Sequence, residues 1–400
     1  MASKDVPPLN VIIVGAGIGG LAAAVALRQQ GHQVRLYEKS GFSHEVGAAI
    51  TLNPNVVGLL ERLGVDVDQH GADKEGGLRY YSHKGDLVFK ANRQTESAAT
   101  RYIHRVDLHS ALRVAAINQE AEINLKSHIE TLDPKTRSIT LASGDVLEAD
   151  VLIGADGMHS FTRQFISQEH SKAMPFGKST FRFLVPMDRV AADPRAKCFA
   201  VKDPISRIWD DKEGRRIVTY PCRSNSELNI LVLHPEELRE RISSDKTPKQ
   251  QMLELCSDFN NDVLALLALA DDEVLEWRLF DLPALPTWCS GRLALLGDAA
   301  HPLLPYAAQG GAQAIEDAVT LSVLLHKGTL PGDVPERLKL YFDARHQRAE
   351  YVQQFARTQG AARPGQKEVP DDGAWHEFFK KIFSHDAWGH AEEVLKHSKS

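Results

Sequence analysis

Val11-Ile-Ile-Val-Gly-Ala-Gly-Ile-Gly-Gly-Leu-Ala-Ala-Ala-Val-Ala-Leu-Arg-Gln-Gln-Gly31 opens the first organised segment of the chain. Its four leading apolar residues read as a buried parallel strand. Three glycines spaced G-x-G-x-x-G follow at Gly15, Gly17 and Gly20, then an alanine-rich helix former that Gly31 stops. A second strand, 33–37, ends at Glu38. Strand, glycine turn, helix and strand in this order begin a doubly wound α/β sheet. Gly15 makes the tight turn, Gly17 lets the backbone approach a pyrophosphate, and Gly20 lets the helix pack on the sheet. The helix N-terminus offers unpaired N–H groups and partial positive charge to phosphates. Glu38 stands where a carboxylate accepts hydrogen bonds from the ribose of an adenosine. A dinucleotide site is expected, although this motif alone does not separate NAD from FAD.

Outward from that segment the texture changes. Short strands are expected at 123–130, 138–142 and 146–153, separated by turns at Asp133-Pro134 and Ser143-Gly144-Asp145. From 174 to 289, strands at 180–185, 215–220 and 228–233 alternate with charged or apolar helices, as in a separate inserted lobe. At Arg292 the first texture returns with a strand over 292–296, Gly297-Asp298 at its end, and a helix opened by Gly310-Gly311. A further helix spans 341–358. Residues 362–373 read as a linker, and the aromatic-rich tail after it as a helical terminal cap. The division expected is 1–173 and 290–358 for the two parts of a nucleotide-binding domain, 174–289 for a substrate domain, and 359–400 for linker and tail.

The 400 residues carry 47 Lys plus Arg and 53 Asp plus Glu, a net charge of −6, with 43% apolar and 25% charged side chains. That apolar share supports a large core, and the charge share excludes a globally disordered chain. The acidic balance argues against nucleic acid or an anionic membrane as partner. The longest apolar run, 263–270, is far short of the roughly 20 residues that cross a bilayer. The opening MASKDVPPLN has no apolar signal region, so a cytoplasmic protein is expected. Cys198, Cys222, Cys256 and Cys289 form no CxxC pair and read as reduced structural thiols. His376, His385 and His390 do not share a helix face and read as solvated residues, so no metal is expected.

Gly154-Ala-Asp-Gly-Met-His-Ser160 and Gly297-Asp-Ala-Ala-His-Pro302 each put an Asp just past an apolar strand, where open α/β sheets bind ligands. With the glycine turn at 15–20, the Asp156-Gly157 and Gly297-Asp298 pairs make three motifs in one order. In them the chain resembles the group A flavoprotein aromatic hydroxylases, the family of para-hydroxybenzoate and salicylate hydroxylases. The stretch 285–317 looks most like the salicylate-hydroxylase branch, and the resemblance runs from about residue 10 to 358.

The resemblance implies an α/β (α+β) fold: a Rossmann-like FAD-binding domain, an inserted β-sheet substrate domain and a C-terminal helical segment. It implies FAD as cofactor, NADPH or NADH and O2 as co-substrates, a small aromatic substrate, and a monomer or homodimer. Glu38, with Lys39 beside it, would hold the adenosine ribose. Gly47-Ala48-Ala49 would lie against the flavin ring, and Arg105 would contact the phosphate or ribityl region. Asp156 would shape the junction shared by FAD and the incoming nicotinamide nucleotide. Asp298 would bind the ribityl hydroxyls, and Gly311 would offer an N–H to the pyrimidine end of the flavin. Positive potential at the helix N-terminus near Gly310 suits the negative charge of a reduced flavin. The implied reaction is hydroxylation of a phenolic ring through a C4a-hydroperoxyflavin. Epoxidation or oxidative dearomatisation of a secondary metabolite is the alternative. An NAD-dependent dehydrogenase would share the first turn but not the two Asp motifs, and a non-catalytic dinucleotide sensor stands third.

On the substrate side, Arg216, Val218 and Tyr220 alternate onto one face of a strand. In related hydroxylases a polar residue and a Tyr at this spacing face the aromatic ring, and an Arg there would bind a carboxylate or stabilise a phenolate. Arg182 is a second cation from an adjacent strand. His301 stands after the Gly297-Asp298 turn, either touching substrate or supporting the turn.

Overall fold

The computed structural model describes residues 6–42, 48–91, 100–167, 172–272, 274–361 and 372–398. Asn10–Val14 forms the centre of a six-stranded sheet, parallel to Gln33–Tyr37 on one side and Val151–Gly154 on the other. Leu293–Leu295 lies beyond Val151–Gly154, again parallel. The register aligns Tyr37, Val14, Gly154 and Leu295 in one row across the sheet. All the motif turns therefore leave the same carboxyl edge side by side, although up to 280 residues of chain separate them.

Gly15 has φ +99°, and a Cβ there would stand 2.5 Å from the Ala155 carbonyl oxygen. Gly20 sits so close to the turn that a Cβ would overlap the Gly15 carbonyl oxygen, which is backbone and cannot rotate away. Its role is thus tighter than general packing of helix on sheet. Gly20→Ala should cost about 1–3 kcal/mol of stability, the usual range for overpacking. A denaturation midpoint equal to wild type would show that the turn can relax.

The second lobe is a seven-stranded sheet in the order Leu275–Asp281, Met174–Pro186, Glu227–Pro235, Arg216–Cys222, Ile205–Asp210, Gly77–Ser82, Leu87–Ala91. Its last two strands come from inside the 1–173 segment, so the lobe is not confined to 174–289. Gly77–Ser82 pairs in parallel with Ile205–Asp210, and a parallel pairing across such a sequence gap leaves no local signature. One face of this sheet buries Phe181, Phe183, Val185, Ile217, Ile230 and Val232 with helices Pro248–Leu255 and Asn261–Leu267. The opposite face looks toward the first lobe, across a small sheet of Ala49–Leu52, Arg101–His104 and Asp73–Lys74. The region 122–154 splits more finely than its apolar pattern suggests. Glu122–Asn124 joins the large parallel sheet, while Ile129–Asp133, Ser138–Leu141 and Val146–Glu148 form a separate antiparallel one.

Helix Val334–Ala361 is longer than the expected 341–358 and crosses the back of helix Gly310–Leu324. The expected linker falls largely on residues 362–371, outside the described residues. Helices Asp372–Phe383 and Ala387–His397 follow. Phe378 and Ile382 pack with Tyr306 and Ala307, and Ala387 joins the main core, so the tail does cap the fold. His385 is half-buried instead of solvated, its ring 5.6 Å from that of His390. Burial lowers its imidazole to about 4; the side chain of His376 lies outside the described residues. All four cysteines are free thiols; Cys198 is exposed, and burial pushes Cys222 and Cys256 up to about 12. Among the described residues no helix is long and apolar enough to cross a membrane.

Candidate functional site

The site begins at the shared sheet edge. Helix Ile18–Gln29 starts at Gly17 with no side-chain cap and no acidic residue in its first turn. Its first N–H groups therefore remain available to an anion. Glu38 folds back over this turn: Oε2 accepts from the Ala16 N–H at 2.9 Å and Oε1 from the Ser40 N–H at 2.8 Å. Burial alone would raise the Glu38 carboxyl, but these two N–H donors more than offset it and hold it below the usual range. Lys39 is exposed beside it.

Asp156 is bound within its own turn, accepting from Ser160 Oγ at 2.7 Å, Thr162 Oγ1 at 2.6 Å and the Thr162 N–H at 2.9 Å. It thus shapes the loop more than it reaches from it. The neighbouring Arg163, fully buried, was not legible as a site residue. It donates to the carbonyls of Met158, Asp298 and Ala299 at 3.1, 2.8 and 2.7 Å, joining the Asp156-Gly157 turn to the Gly297-Asp298 turn. Asp298 itself is accessible to solvent, yet protein crowds around it. That crowding raises its carboxyl, against the positive fields of His301, Arg105 and Arg163. Among the described residues its carboxylate has no hydrogen-bond partner. Arg105 begins the helix Arg105–Asn118 and donates its backbone N–H to the Ala48 carbonyl at 2.8 Å. Gly47 lies outside the described residues; Ala48 and Ala49 are buried.

A second uncapped helix N-terminus faces this region. Helix Gly310–Leu324 starts after Gln309 with no side-chain cap and no acid in its first turn. A Cβ on Gly311 would stand 2.6 Å from Ile50 Cδ1, so the strand after Ala49 presses against this turn. Behind the turn is a charge network that the sequence reading missed. Arg345, fully buried, pairs with Glu316 at 2.5 Å and Asp317 at 2.8 Å; Arg348 pairs with Glu316 at 2.7 Å. Asn55 Nδ2 donates to Glu316 Oε1 at 2.6 Å and to Gln309 Oε1 at 3.2 Å. Asp317 also accepts from the Gly297 N–H at 3.0 Å and lies 2.6 Å from His301 Nε2. His301 therefore supports the Gly297-Asp298 turn from behind. The signal available was the Glu316-Asp317 pair on an otherwise uncharged, buried helix, which requires buried cations.

Of the substrate-side candidates, the structure brings Arg182 and Tyr220 together and sets Arg216 apart. Tyr220, stacked on Tyr102 at 4.9 Å, donates its hydroxyl to the Ala49 carbonyl at 2.9 Å. Arg182 donates to that same carbonyl. Asn229, invisible to the sequence reading, accepts the Ala49 N–H at 3.0 Å. The backbone of one residue in the segment expected to face a flavin, Ala49, is thus held by three side chains of the other lobe. Arg216 instead forms a two-pronged ion pair with Asp210 at 2.6 and 2.7 Å. The signal was present in Trp209-Asp-Asp-Lys-Glu-Gly-Arg-Arg216, where two acids and two arginines flank a tight turn.

Several buried polar atoms around this centre lack partners among the described residues, including Gln309 Nε2, Arg182 Nε and Asn229 Nδ2. Orphans of this kind, two open helix N-termini and two carboxylates at strand ends fit an extended dinucleotide with hydrogen-bonding rings.

Comparison with known proteins agrees. The model of the FAD binding domain family matches residues 8–356. The FAD-dependent monooxygenase cfoG of Aspergillus candidus is 39% identical, over 88% of this chain and 85% of its own. Hispidin-3-hydroxylase of Neonothopanus nambi is 34% identical, over 86% of each. Among solved structures, a salicylate hydroxylase in complex with substrate superposes with TM-score 0.79 at 24% identity, covering 98% of this chain and 99% of the other, a likeness of fold. The chain thus belongs to the class A FAD-dependent aromatic hydroxylase family and is an FAD-dependent monooxygenase.

Proposed function

We propose that the chain uses NAD(P)H and O2 to hydroxylate a phenolic ring held between Arg182, Tyr220 and the flavin-facing segment Ala48–Ala49. The overall balance is phenol plus O2 plus NAD(P)H plus a proton, giving the hydroxylated phenol, water and NAD(P)+. FAD, when bound, supplies acceptance of the hydride and activation of dioxygen. Everything else falls to the protein. The N-terminus of helix Ile18–Gln29 takes the pyrophosphate and Glu38 the adenosine ribose. Asp298 takes ribityl hydroxyls, with Arg105 nearby. The N-terminus of helix Gly310–Leu324 compensates charge on the flavin pyrimidine ring. The buried network behind Gln309 keeps that helix end in place.

The observation that carries this reading is the meeting of Arg182 and Tyr220 on the Ala49 carbonyl. Among the described residues no carboxylate pairs with Arg182, so its charge is available to favour phenolate over phenol at the substrate oxygen. With substrate bound, the Tyr220 hydroxyl would turn from the Ala49 carbonyl to donate to the same oxygen. A phenolate ring is the stronger nucleophile, and packing by Val218 and Leu231 around it excludes water. We place the nicotinamide nucleotide in the cavity of about 370 Å³ lined by Met158, His159, Trp277, Arg278, Phe280 and Pro305, beside the Asp156-Gly157 turn.

The test is a screen of phenols and phenolic acids for substrate-stimulated NAD(P)H oxidation by the yellow holoenzyme, with product mass as readout. Gain of one oxygen atom is expected. NAD(P)H consumption that no aromatic compound stimulates would overturn the reading. Tyr220→Phe removes one hydroxyl and keeps the stacked ring, so FAD content should hold while coupling falls. The ratio of peroxide released to NAD(P)H consumed should rise; an unchanged ratio would place the Tyr220 hydroxyl outside the reaction.

A further inference from the structure

We propose that Asp210 sets the substrate class: by neutralising Arg216 it denies the pocket a second free cation. The enzyme then takes phenols without a ring carboxylate, an inference that rests on the phenolic reading above.

The register of the substrate sheet supplies the geometry. Leu184, Asn229 and Tyr220 form one cross-strand row, Arg182, Leu231 and Val218 the next, and Thr180, Leu233, Arg216 and Asp210 the third. Side chains in these rows share the face turned toward the first lobe, because strand residues alternate. The first row is tied to Ala49 through Asn229 and Tyr220. The third lies against Tyr306, whose ring sits 5.5 Å from the Arg216 guanidinium, one turn before Gln309 and Gly310. Between them Leu231 and Val218 make an apolar floor. An aromatic ring that parts these buried side chains to lie on this floor would meet Arg182 in its own row and Tyr306 with Arg216 in the next.

Of these two cations, only Arg182 is uncompensated. Arg216 and Asp210 expose 5% and 9% of their side chains and meet through two parallel N–H···O bonds. Tyr80 adds its hydroxyl to Asp210. Such a pair has a net charge of zero, and a substrate carboxylate at the Tyr306 end would face the Asp210 charge as well as the Arg216 one. It would lose its hydration without gaining a matched partner. A single phenolate at Arg182 meets no such conflict. The Tyr306 hydroxyl, buried and without a partner among the described residues, would suit a neutral hydrogen-bonding group in this row.

The experiment titrates FAD-loaded enzyme with matched pairs, catechol against protocatechuate, resorcinol against β-resorcylate and naphthol against hydroxynaphthoate. Affinity is read from the change in flavin absorbance, so turnover is not required. The uncarboxylated member of each pair should bind about tenfold or more tightly. Asp210→Asn keeps the shape of the pair but frees the Arg216 charge, and should reverse or erase that preference. The double variant Asp210→Asn with Arg216→Gln should lose the gain again. Equal or tighter binding of the carboxylated members by wild type overturns the proposal, whether or not the variants fold. An unchanged preference in a folded Asp210→Asn enzyme overturns the role of Asp210. Silence of every pair instead removes the phenolic reading and this inference with it.

Discussion

Arg345→Met is expected to destabilise the folded chain by about 3–5 kcal/mol, because it removes one partner from a desolvated ion network. Glu316 and Asp317 are fully buried, and without Arg345 the guanidinium that pairs with both is gone, leaving Arg348 on Glu316 and the His301 ring on Asp317. Denaturant unfolding at saturating FAD measures the effect, and a midpoint equal to wild type would mean that water or rearrangement replaces the guanidinium. The same network sets an acid limit. Burial would raise both carboxyls, but Arg345 and Arg348 around Glu316, and His301 and Arg345 around Asp317, bring each down to about 2. A carboxyl held below its unfolded value contributes stability above that unfolded value. The contribution is lost as pH falls through the folded one. Wild-type stability should therefore decline from about pH 5 toward pH 2, and in Arg345→Met, whose folded carboxyls lie closer to their unfolded values, the decline should be smaller and end at higher pH. Parallel pH profiles for the two proteins would contradict this assignment.

Asp298→Ala is expected to weaken FAD binding about ten- to a hundredfold, matching roughly 1.5–3 kcal/mol for a charged hydrogen bond. The fold should survive, since the carboxylate holds no other described residue and remains solvent-accessible. Flavin fluorescence titration of the apoprotein reads the constant directly. An unchanged constant with wild-type stability would place the ribityl contact elsewhere. Loss of stability without FAD would instead mark Asp298 as structural.

Much of the cofactor half could be read in order along the chain. Each of its turns follows an apolar strand, and glycine geometry and strand periodicity are local properties. Gly15, Gly20, Glu38, Asp156 and Asp298 could therefore be picked out one by one as candidates, and the sheet register sets their turns along one edge. The substrate half resisted, because there the decisive facts are pairings. Arg182 and Arg216 look alike in sequence, each an arginine on a strand with an apolar neighbour.

Local pattern thus determined a dinucleotide-binding α/β chain, since backbone turns and alternating strands are encoded within a few residues, and the flavin hydroxylases entered through the resemblance of its three motifs. Only the tertiary structure decided which charges remain free. It drew residues 77–91 into the second lobe, matched Arg216 with Asp210, and buried Arg163 between two distant turns. A guanidinium's role depends on which acceptor the fold leaves within about 3 Å of it, and that distance is set by chain segments far apart in sequence.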